Sequence, residues 1–331
     1  MQKVGLYMGT QFPPGTNVAA ALKDMSEQVQ VARRSGFSSL WVPHHYVTYP
    51  MQMLAPIPML SYLVREAEGM TIGTNILIMP LLHPVHVAED AVTLDLMSGG
   101  RYVLGIGVGY RESEFQTFNV PLKERAQRMD ESIQIMRRLW TEDKITHSGN
   151  HFRINDLGIG LKPQRKGGPP IWLAAVVDAA VRRAARLGDA WLITNFAHLS
   201  VLVPQMAMYR KLLAEAGKQF PAEAPITREC YVGSTRAKAL AECKAALEYK
   251  YGAYSSWGLD QQSKGAESFA QPFEEFVKDR FIIGDKAFVK DEIQRYHALL
   301  GVNHFIMRVQ WPGLEQAKAI NTITALGEIF V

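Results

Sequence analysis

The sequence predicts an α/β protein that folds as one (β/α)8 (TIM) barrel. Short β-rich runs alternate with longer stretches of helical apolar spacing, and eight such strand-then-helix units occur along the 331 residues. Parallel strands joined by crossover helices give an α/β fold, and eight units favour closure into a barrel. An open doubly wound sheet is the alternative, but no GxGxxG turn of the Rossmann kind follows the first strand.

Each element is predicted from its own apolar pattern. The eight strands are β-rich runs at residues 4–8, 40–42, 71–79, 102–108, 171–175, 191–194, 228–233 and 304–309. The first helix has apolar residues at helical spacing from Val18 to Ala32 and ends at Gly36, and the third begins at Pro84, a residue favoured in a first helical turn. Further helices are predicted at 124–140, 178–187, 199–216, 240–251, 289–300 and from 314, with a short one before the third strand.

Two connections are longer than a barrel requires, and we expect both to be insertions at the C-terminal mouth, where barrel loops carry function. Residues 110–169 hold one helix and a predicted hairpin at 145–154 that turns at Gly149 and Asn150. Residues 253–280 are rich in serine, glutamine, glycine and charge. Neither segment has the composition of a linker, so we predict a single domain over residues 1–331.

Composition argues against several classes of protein. Hydrophobic residues make up 47% of the chain, and 36 basic against 32 acidic residues give a formal charge of only +4. This small excess, without an aromatic-basic repeat, argues against nucleic-acid binding. No run approaches 18 uncharged apolar residues, so we expect no membrane span. Two cysteines cannot form a disulfide framework, and we expect a cytoplasmic location.

Several motifs occur in a characteristic order. The run from His83 to Arg101 reads HPVHVAEDAVTLDLMSGGR and leads into LGIGVGY at 104–110 and then Glu114-Phe115. Later matches are Arg125 with Asp130-Glu131, Leu139-Trp140, PIW at 170–172, GDAW at 188–191, GVNHF at 301–305 and Gly313-Leu314. These motifs span almost the whole chain, which resembles the luciferase-like flavin monooxygenases.

The resemblance implies a barrel that binds reduced FMN or the deazaflavin coenzyme F420 at its mouth. Many members are monooxygenases supplied with reduced FMN by a separate flavin reductase, whereas others use F420 to transfer hydride without oxygen. We expect an FMN monooxygenase acting on a small organic substrate, with an F420-dependent dehydrogenase or reductase as the alternative. A non-catalytic flavin-binding protein is a third alternative, because a fold does not dictate a function. The resemblance also implies a homodimer packed through helices two and three.

His44 and His45 follow the second strand and are the candidate catalytic residues. An imidazole can give or take a proton near neutral pH, which suits oxygen chemistry on a flavin. The pair resembles the His-His of bacterial luciferase, in which the first histidine is catalytic. Because side chains alternate along a strand, we expect only the ring of His44 to point squarely into the mouth. Two structural loop histidines are the alternative, and no HExxH or Cys/His cluster supports a metal site.

Asn75 lies within the predicted third strand, where asparagine is disfavoured. The resemblance implies a cis Asn75–Ile76 peptide bond that forms a bulge beneath the flavin ring, and an ordinary bulge is the alternative. In the fourth strand Gly105, Gly107 and Gly109 alternate. Their missing side chains leave room for the flavin ring to approach the backbone at Gly107, or for tight packing inside the barrel.

The start of the helix after the fifth strand is the candidate phosphate site. Its residues are Ala175, Val176, Val177 and Asp178, and the free N–H groups and dipole of a helix start suit an anion. Family members often have serine where this chain has Val177, so backbone amides would make the contacts. Thr194 at the end of the sixth strand would add a hydroxyl, and Arg125 would add a charged contact.

Other polar residues lie near strand ends. Glu112 and Glu114 follow the fourth strand, and first-turn dipole contacts explain carboxylates there without catalysis. Four further residues could face a substrate or make contacts inside the barrel: Asn195, Arg228, Arg308 and Trp311.

Overall fold

The computed structural model describes residues 2–259, 269 and 271–330, and it shows a closed barrel of eight parallel strands. The strands are β1 (Lys3–Tyr7), β2 (Ser39–Val42), β3 (Thr71–Thr74), β4 (Tyr102–Gly107), β5 (Ile171–Ala175), β6 (Ala190–Ile193), β7 (Pro225–Val232) and β8 (His304–Arg308). Each pairs with the next along the chain. Pairing of β8 with β1, with Lys3 opposite His304, closes the barrel and confirms the predicted fold class.

Helices connect the strands and pack around the barrel. They are α1 (Val18–Arg34), α2 (Pro56–Leu63), α3 (Pro84–Met97), α4 (Glu112–Thr117), α5 (Arg125–Thr141), α6 (Asp178–Leu187), α7 (Leu199–Glu215), α8 (Arg236–Ser256), α9 (Phe273–Val277), α10 (Lys286–Leu300) and α11 (Gln316–Phe330). Their apolar faces bury residues such as Val29, Val87 and Ile133 in the core they share with the strands, which stabilises the barrel. Within the described residues, no helix combines the length and apolar character needed to cross a membrane.

The long connections form additional structure. The predicted hairpin is present as the antiparallel strands Ile145–Ser148 and Arg153–Leu157. The strand Ile282–Gly284, which the sequence analysis did not predict, pairs with the carboxyl end of β7. A small antiparallel pair joins Gln11–Phe12 to Gln52–Met53 near the mouth. Residues 260–268 and 270, which belong to the second predicted insertion, lie outside the described residues.

The third strand differs from the continuous run predicted over residues 71–79. β3 ends at Thr74, and a separate short strand, Leu77–Ile78, pairs with β4. Between them the Asn75–Ile76 peptide bond is cis, as the family resemblance implies. The prediction of one uninterrupted strand was wrong because Asn75 and Ile76 leave the ladder and line the cavity at the mouth.

Aromatic side chains fill the barrel below the mouth. Trp41 of β2 and Trp172 of β5 stack with ring centroids 4.8 Å apart, and His304 of β8 meets both rings edge-on. Gly73 makes room for this stack, because a Cβ at that position would lie 2.4 Å from the Trp41 ring. The barrel centre is therefore packed, and a ligand has to bind above it, at the carboxyl ends of the strands.

Candidate active site

A cavity opens at the carboxyl ends of the strands. It is lined by nine of the predicted site residues: His44, His45, Asn75, Ile76, Gly107, Arg125, Val176, Val177 and Thr194. The other two, Ala175 and Asp178, do not line it. Ala175 packs into the main hydrophobic core, and Asp178 accepts a hydrogen bond from Gln205 Nε2 at 3.0 Å.

His44 is buried, with 6% of its surface exposed, and forms part of the cavity wall. Its Nδ1 accepts a hydrogen bond from the backbone N–H of Ile78 at 3.4 Å, so the neutral ring carries its proton on Nε2. Burial, with a smaller contribution from the neighbouring His45, lowers the pKa of His44 to about 4. At neutral pH this ring is therefore uncharged and keeps one N–H donor at Nε2.

His45 also lines the cavity, which corrects the expectation that only one of the two rings faces the mouth. The expectation assumed strand alternation, but β2 ends at Val42, before both histidines. Nδ1 of His45 lies 3.2 Å from Glu114 Oε1. Because a carboxylate only accepts, Nδ1 donates this hydrogen bond and Nε2 remains free to act in the cavity.

Glu114 is a positioning residue whose side chain is completely buried. Besides His45, its Oε1 accepts hydrogen bonds from the Tyr46 backbone N–H at 2.8 Å and from Arg111 Nη1 at 3.4 Å. The sequence analysis assigned this carboxylate only a first-turn contact on α4, and its burial against the loop after β2 could not be read from the pattern. Glu112 on the same helix is exposed.

Aromatic side chains surround His45. The ring centroids of Tyr110, Tyr254 and Trp257 lie 5.8, 6.0 and 5.4 Å from that of His45. Arg111 stacks over Trp257, 4.1 Å from its centroid, and this contact holds the end of α8 against the loop after β4. This side of the cavity therefore has a largely aromatic surface.

Asn75 is held in place by two hydrogen bonds. The Tyr7 hydroxyl donates to the Asn75 carbonyl at 3.2 Å, and Asn75 Nδ2 donates to Thr227 Oγ1 at 2.7 Å. Tyr7 and Thr227 also line the cavity. The Asn75 side chain thus connects β3 to β7 across the mouth.

The alternating glycines of β4 have separate roles. At Gly107 a Cβ would lie 3.0 Å from Ile76 Cδ1, so the missing side chain leaves space for Ile76 at the cavity wall. At Gly105 a Cβ would lie 1.9 Å from the carbonyl oxygen of Thr74, which shows that this glycine serves barrel packing. Both contacts support the packing interpretation of the glycine run, and the approach of a flavin ring to Gly107 stays a prediction.

One end of the cavity presents unpaired donors, here called the anion cradle: the start of α6, Thr194 and Arg125. α6 begins at Asp178, so the N–H groups of Asp178 and Ala179 have no partner within the helix, and these two residues lie between Val177 and Ala180, which line the cavity. Thr194 Oγ1 is buried without a hydrogen-bond partner. Arg125 makes no hydrogen bond or ion pair with any other residue that the structure describes, and burial lowers the pKa of its guanidinium.

A buried charge cluster, consisting of Glu229, Lys250 and Arg308, lies behind the cavity wall. All three residues are 0% exposed. Lys250 Nζ donates to Glu229 Oε1, which also accepts from Nδ2 of the cavity-lining Asn195. Burial, together with Arg308, lowers the pKa of Lys250 to about 7. Burial opposes ionisation of Glu229, but Lys250 and Arg308 outweigh it and lower the pKa of this carboxyl.

The sequence analysis missed this cluster. Arg308 and Trp311 are buried behind the wall and do not line the cavity, and Trp311 Nε1 donates to Glu229. Arg228 is likewise buried and donates to the Thr194 carbonyl at 2.7 Å. The available signal was the charged pair Arg228-Glu229 inside the otherwise apolar strand β7. The described part of the chain contains no group of three or more histidine, cysteine, aspartate or glutamate residues that could hold a metal ion.

Comparison with known proteins identifies the family. The model of the family described as luciferase-like monooxygenase matches residues 2–303. The F420-dependent glucose-6-phosphate dehydrogenase of Intrasporangium calvum is 23% identical over 320 residues, which cover 92% of this chain and 93% of that protein. Matches to several other curated relatives span only about 50–60% of those proteins' length.

Two solved structures share the fold. Monooxygenase RslO1 from Streptomyces bottropensis has a TM-score of 0.86 at 20% identity, with 98% of both chains covered. The oxygenating constituent of 3,6-diketocamphane monooxygenase from Pseudomonas putida, solved in complex with FMN, has a TM-score of 0.79 at 16% identity, covering 99% of this chain and 97% of that chain. The family model extends over most of the sequence, and the chain therefore belongs to the luciferase-like monooxygenase family.

Proposed function

We propose that this protein is a flavin-dependent monooxygenase that uses reduced FMN and oxygen to oxygenate a small organic substrate. The observation that carries the proposal is the convergence of two histidines and an anion cradle on one cavity. In the overall reaction one oxygen atom enters the substrate and the other leaves as water, with both electrons taken from reduced FMN. When bound, the flavin supplies the redox chemistry, and the chain supplies binding, orientation and proton handling.

The residues around the cavity fit FMN. The cradle offers backbone N–H groups, the Thr194 hydroxyl and the Arg125 guanidinium, and these unpaired donors suit a phosphate. The flavin ring would bind near Asn75, Ile76 and Gly107, which line the cavity. That the structurally similar Pseudomonas putida protein was solved with FMN supports this choice of cofactor.

The two histidines would divide the proton handling. His44 is neutral because its pKa is lowered, so it would donate a hydrogen bond from Nε2 to negative charge that develops on oxygen. His45 is oriented through Nδ1 by Glu114, so its Nε2 would give or take a proton in the cavity. The aromatic surroundings of His45 would limit the access of water to this step.

F420-dependent hydride transfer is the second candidate function. It is favoured by the match to the Intrasporangium calvum dehydrogenase, which extends over nearly the full length of both proteins. The anion cradle does not separate the two cofactors, because F420 also carries a phosphate. The histidine pair favours the monooxygenase, since His44 would donate a hydrogen bond to negative charge on oxygen and His45 would transfer a proton there.

Anaerobic equilibrium titration with reduced FMN and with reduced F420 would test the proposal. We expect reduced FMN to bind more tightly, and mixing the complex with oxygen in the presence of substrate should give an oxygenated product. Tight binding of F420 together with negligible binding of FMN would contradict the proposal and support hydride transfer.

We also propose that a separate flavin reductase supplies the reduced FMN, by analogy with the oxygenating constituent from Pseudomonas putida.

A homodimer is proposed from exposed apolar side chains on neighbouring helices: Tyr62 on α2, and Leu96 and Met97 on α3. Sedimentation equilibrium would test the dimer, and a monomer at micromolar concentration would contradict it.

Both cysteines are free and buried, which supports the proposed cytoplasmic location.

A further inference from the structure

The buried charge cluster carries an uncompensated positive charge. Glu229 is ion-paired with Lys250. Among the described residues Arg308 has no carboxylate within ion-pair distance, and its guanidinium contacts neutral groups instead: Gln11 Oε1 at 2.8 Å, the Gln310 carbonyl at 3.4 Å and the Tyr254 hydroxyl at 3.5 Å. Two cations and one carboxylate therefore leave one net positive charge when Lys250 is protonated, and because the pKa of Lys250 is lowered to about 7 this proton can be released when no anion is nearby.

The nearby phenols do not supply the missing negative charge. Burial raises the pKa of Tyr7 and, more strongly, that of Tyr251, so both hydroxyls stay protonated at neutral pH. A charge that is removed from water without a counter-ion is costly, and structures normally pair it. This arrangement therefore favours an anion that arrives from outside the chain.

The cavity is where such an anion can approach. The Arg308 guanidinium lies 5.2 Å from the ring centroid of Tyr7 and contacts the Tyr254 hydroxyl, and both tyrosines line the cavity. On the other side of the cluster, Glu229 is bonded to the cavity-lining Asn195. One layer of side chains separates the charge from the cavity, and the interior screens it weakly.

The lining next to the cluster suits a planar ring. Tyr7, Tyr110, Phe196 and Tyr254 contribute aromatic side chains to the wall. The anion cradle, which would take the FMN phosphate, is formed by the other group of donors at the start of α6, Thr194 and Arg125. The cluster and its aromatic wall are therefore available to the substrate.

We propose that the substrate is a phenol and that the cavity binds it as the phenolate, with its ring against the aromatic wall and its oxygen on the side of Arg308. The inference rests on the proposed function in taking this cavity as the site of oxygenation. Loss of the phenolic proton raises the electron density of the ring, which favours a new bond between a ring carbon and one oxygen atom of O2. That carbon loses its proton, and the other oxygen atom leaves as water with the two electrons from reduced FMN. One net charge behind the wall would make the ionisation constant of the bound phenol about tenfold larger than in the same cavity without that charge.

The experiment uses the flavin-free full chain and 4-nitrophenol, whose anion is distinguished from the neutral form by its absorbance. The fraction ionised is measured across a pH series for the free and the bound probe. We expect the pKa of the probe bound to the unchanged protein to lie about one unit below the value that burial alone would give, which Lys250→Met measures, a tenfold difference in ionisation. 4-Nitroanisole, which has the same ring without an ionisable hydroxyl, measures the contribution of packing alone.

Two substitutions change the buried charge in opposite directions. Lys250→Met removes the second cation and should abolish the shift, whereas Glu229→Gln removes the carboxylate that compensates Arg308, even if Lys250 is neutral, and should enlarge it. Circular dichroism would check that each variant folds. If one variant does not fold, the other is sufficient to test the effect of the buried charge on the pKa of the bound probe. Lys211→Met and Glu215→Gln alter an exposed pair on α7, 3.8 Å apart, and should leave the shift unchanged.

The outcomes separate this inference from the cofactor proposal. No detectable binding of the probe would overturn the phenolate assignment even if FMN binds tightly. A bound pKa in the unchanged protein equal to or above that in Lys250→Met would show that the cluster does not favour the phenolate and would also overturn it. Conversely, a lowered pKa that follows the two substitutions would support the inference even if FMN fails to bind.

Discussion

Glu114 Oε1 lies 3.2 Å from His45 Nδ1, and this carboxylate group is itself completely buried. The two residues come from different parts of the barrel, since His45 follows β2 and Glu114 lies on α4 after β4. Their contact fixes which nitrogen of His45 faces the cavity. The pair is therefore a direct way to test whether the orientation of His45 matters to catalysis.

Glu114→Gln should lower kcat by at least about tenfold and leave the KM for substrate nearly unchanged, because His45 loses the charge that holds its ring. Steady-state kinetics with saturating reduced FMN would measure this split. Glu112→Gln, on the exposed side of the same helix, is the matched control. Equal kinetic effects of the two substitutions would show that His45 does not depend on Glu114.

His44→Ala should reduce product formation by about 10²–10⁴-fold while FMN affinity stays close to that of the unchanged protein. We expect His45→Ala to be similarly damaging, because both rings line the cavity. Single-turnover assays and anaerobic FMN titration would measure the two effects. His86→Ala on the exposed part of α3 is the control, and a normal product yield from His44→Ala would make His44 a structural residue.

The lowered pKa of His44 predicts a pH dependence of stability. The folded value is about 4 and the unfolded value about 6.5, so between these pH values only the unfolded state takes up the proton. The contribution of His44 is therefore fully present above pH 6.5 and is lost as the pH falls toward 4, by at most about 3 kcal/mol. Urea unfolding at pH values from 4 to 7 would give the free energy of unfolding at each pH. This free energy should change less steeply with pH in His44→Gln than in His86→Gln. An identical pH dependence of the unfolding free energy in the two variants would contradict the lowered pKa of His44.

Arg125→Gln should weaken FMN binding by about 10–100-fold, since a charge-assisted contact to phosphate is lost. Riboflavin, which lacks the phosphate, should bind the unchanged protein more weakly than FMN does and should be insensitive to the substitution. Isothermal titration calorimetry with both ligands would measure these differences. Arg182→Gln changes an exposed charge on α6 and controls for long-range effects. An equal loss for both ligands would remove Arg125 from the phosphate site.

The periodic parts of the fold could be predicted closely from the sequence. β5 at Ile171–Ala175 and α6 at Asp178–Leu187 agree residue by residue with the apolar pattern. Elements that depend on tertiary contacts were harder to predict from the sequence. The strand Ile282–Gly284 has only three residues, too few to show a period, and β3 ends early because Asn75 and Ile76 are directed to the cavity.

The candidate site was predictable where residues lie next to strand ends in the chain. His44, Asn75 and Thr194 were found in this way, because carboxyl ends of parallel strands meet at one face of a barrel. Glu114 and Lys250 were not, since a charged residue on a helix normally faces water and only the three-dimensional contacts reveal its burial. The partners of Glu114 and Lys250 are far away in the sequence, so no local sequence pattern indicates these contacts.

The closing pair of strands has a consequence for biosynthesis. β1 pairs with β8. One edge of β1, the first strand of the barrel to be synthesised, therefore has no hydrogen-bonding partner until the last strand has been made. Pairings between such distant segments form late and slowly. Throughout translation β1 presents one open edge and the growing sheet another, and open edges recruit strands from other chains. A nascent chain that stalls before His304 would therefore be prone to aggregation.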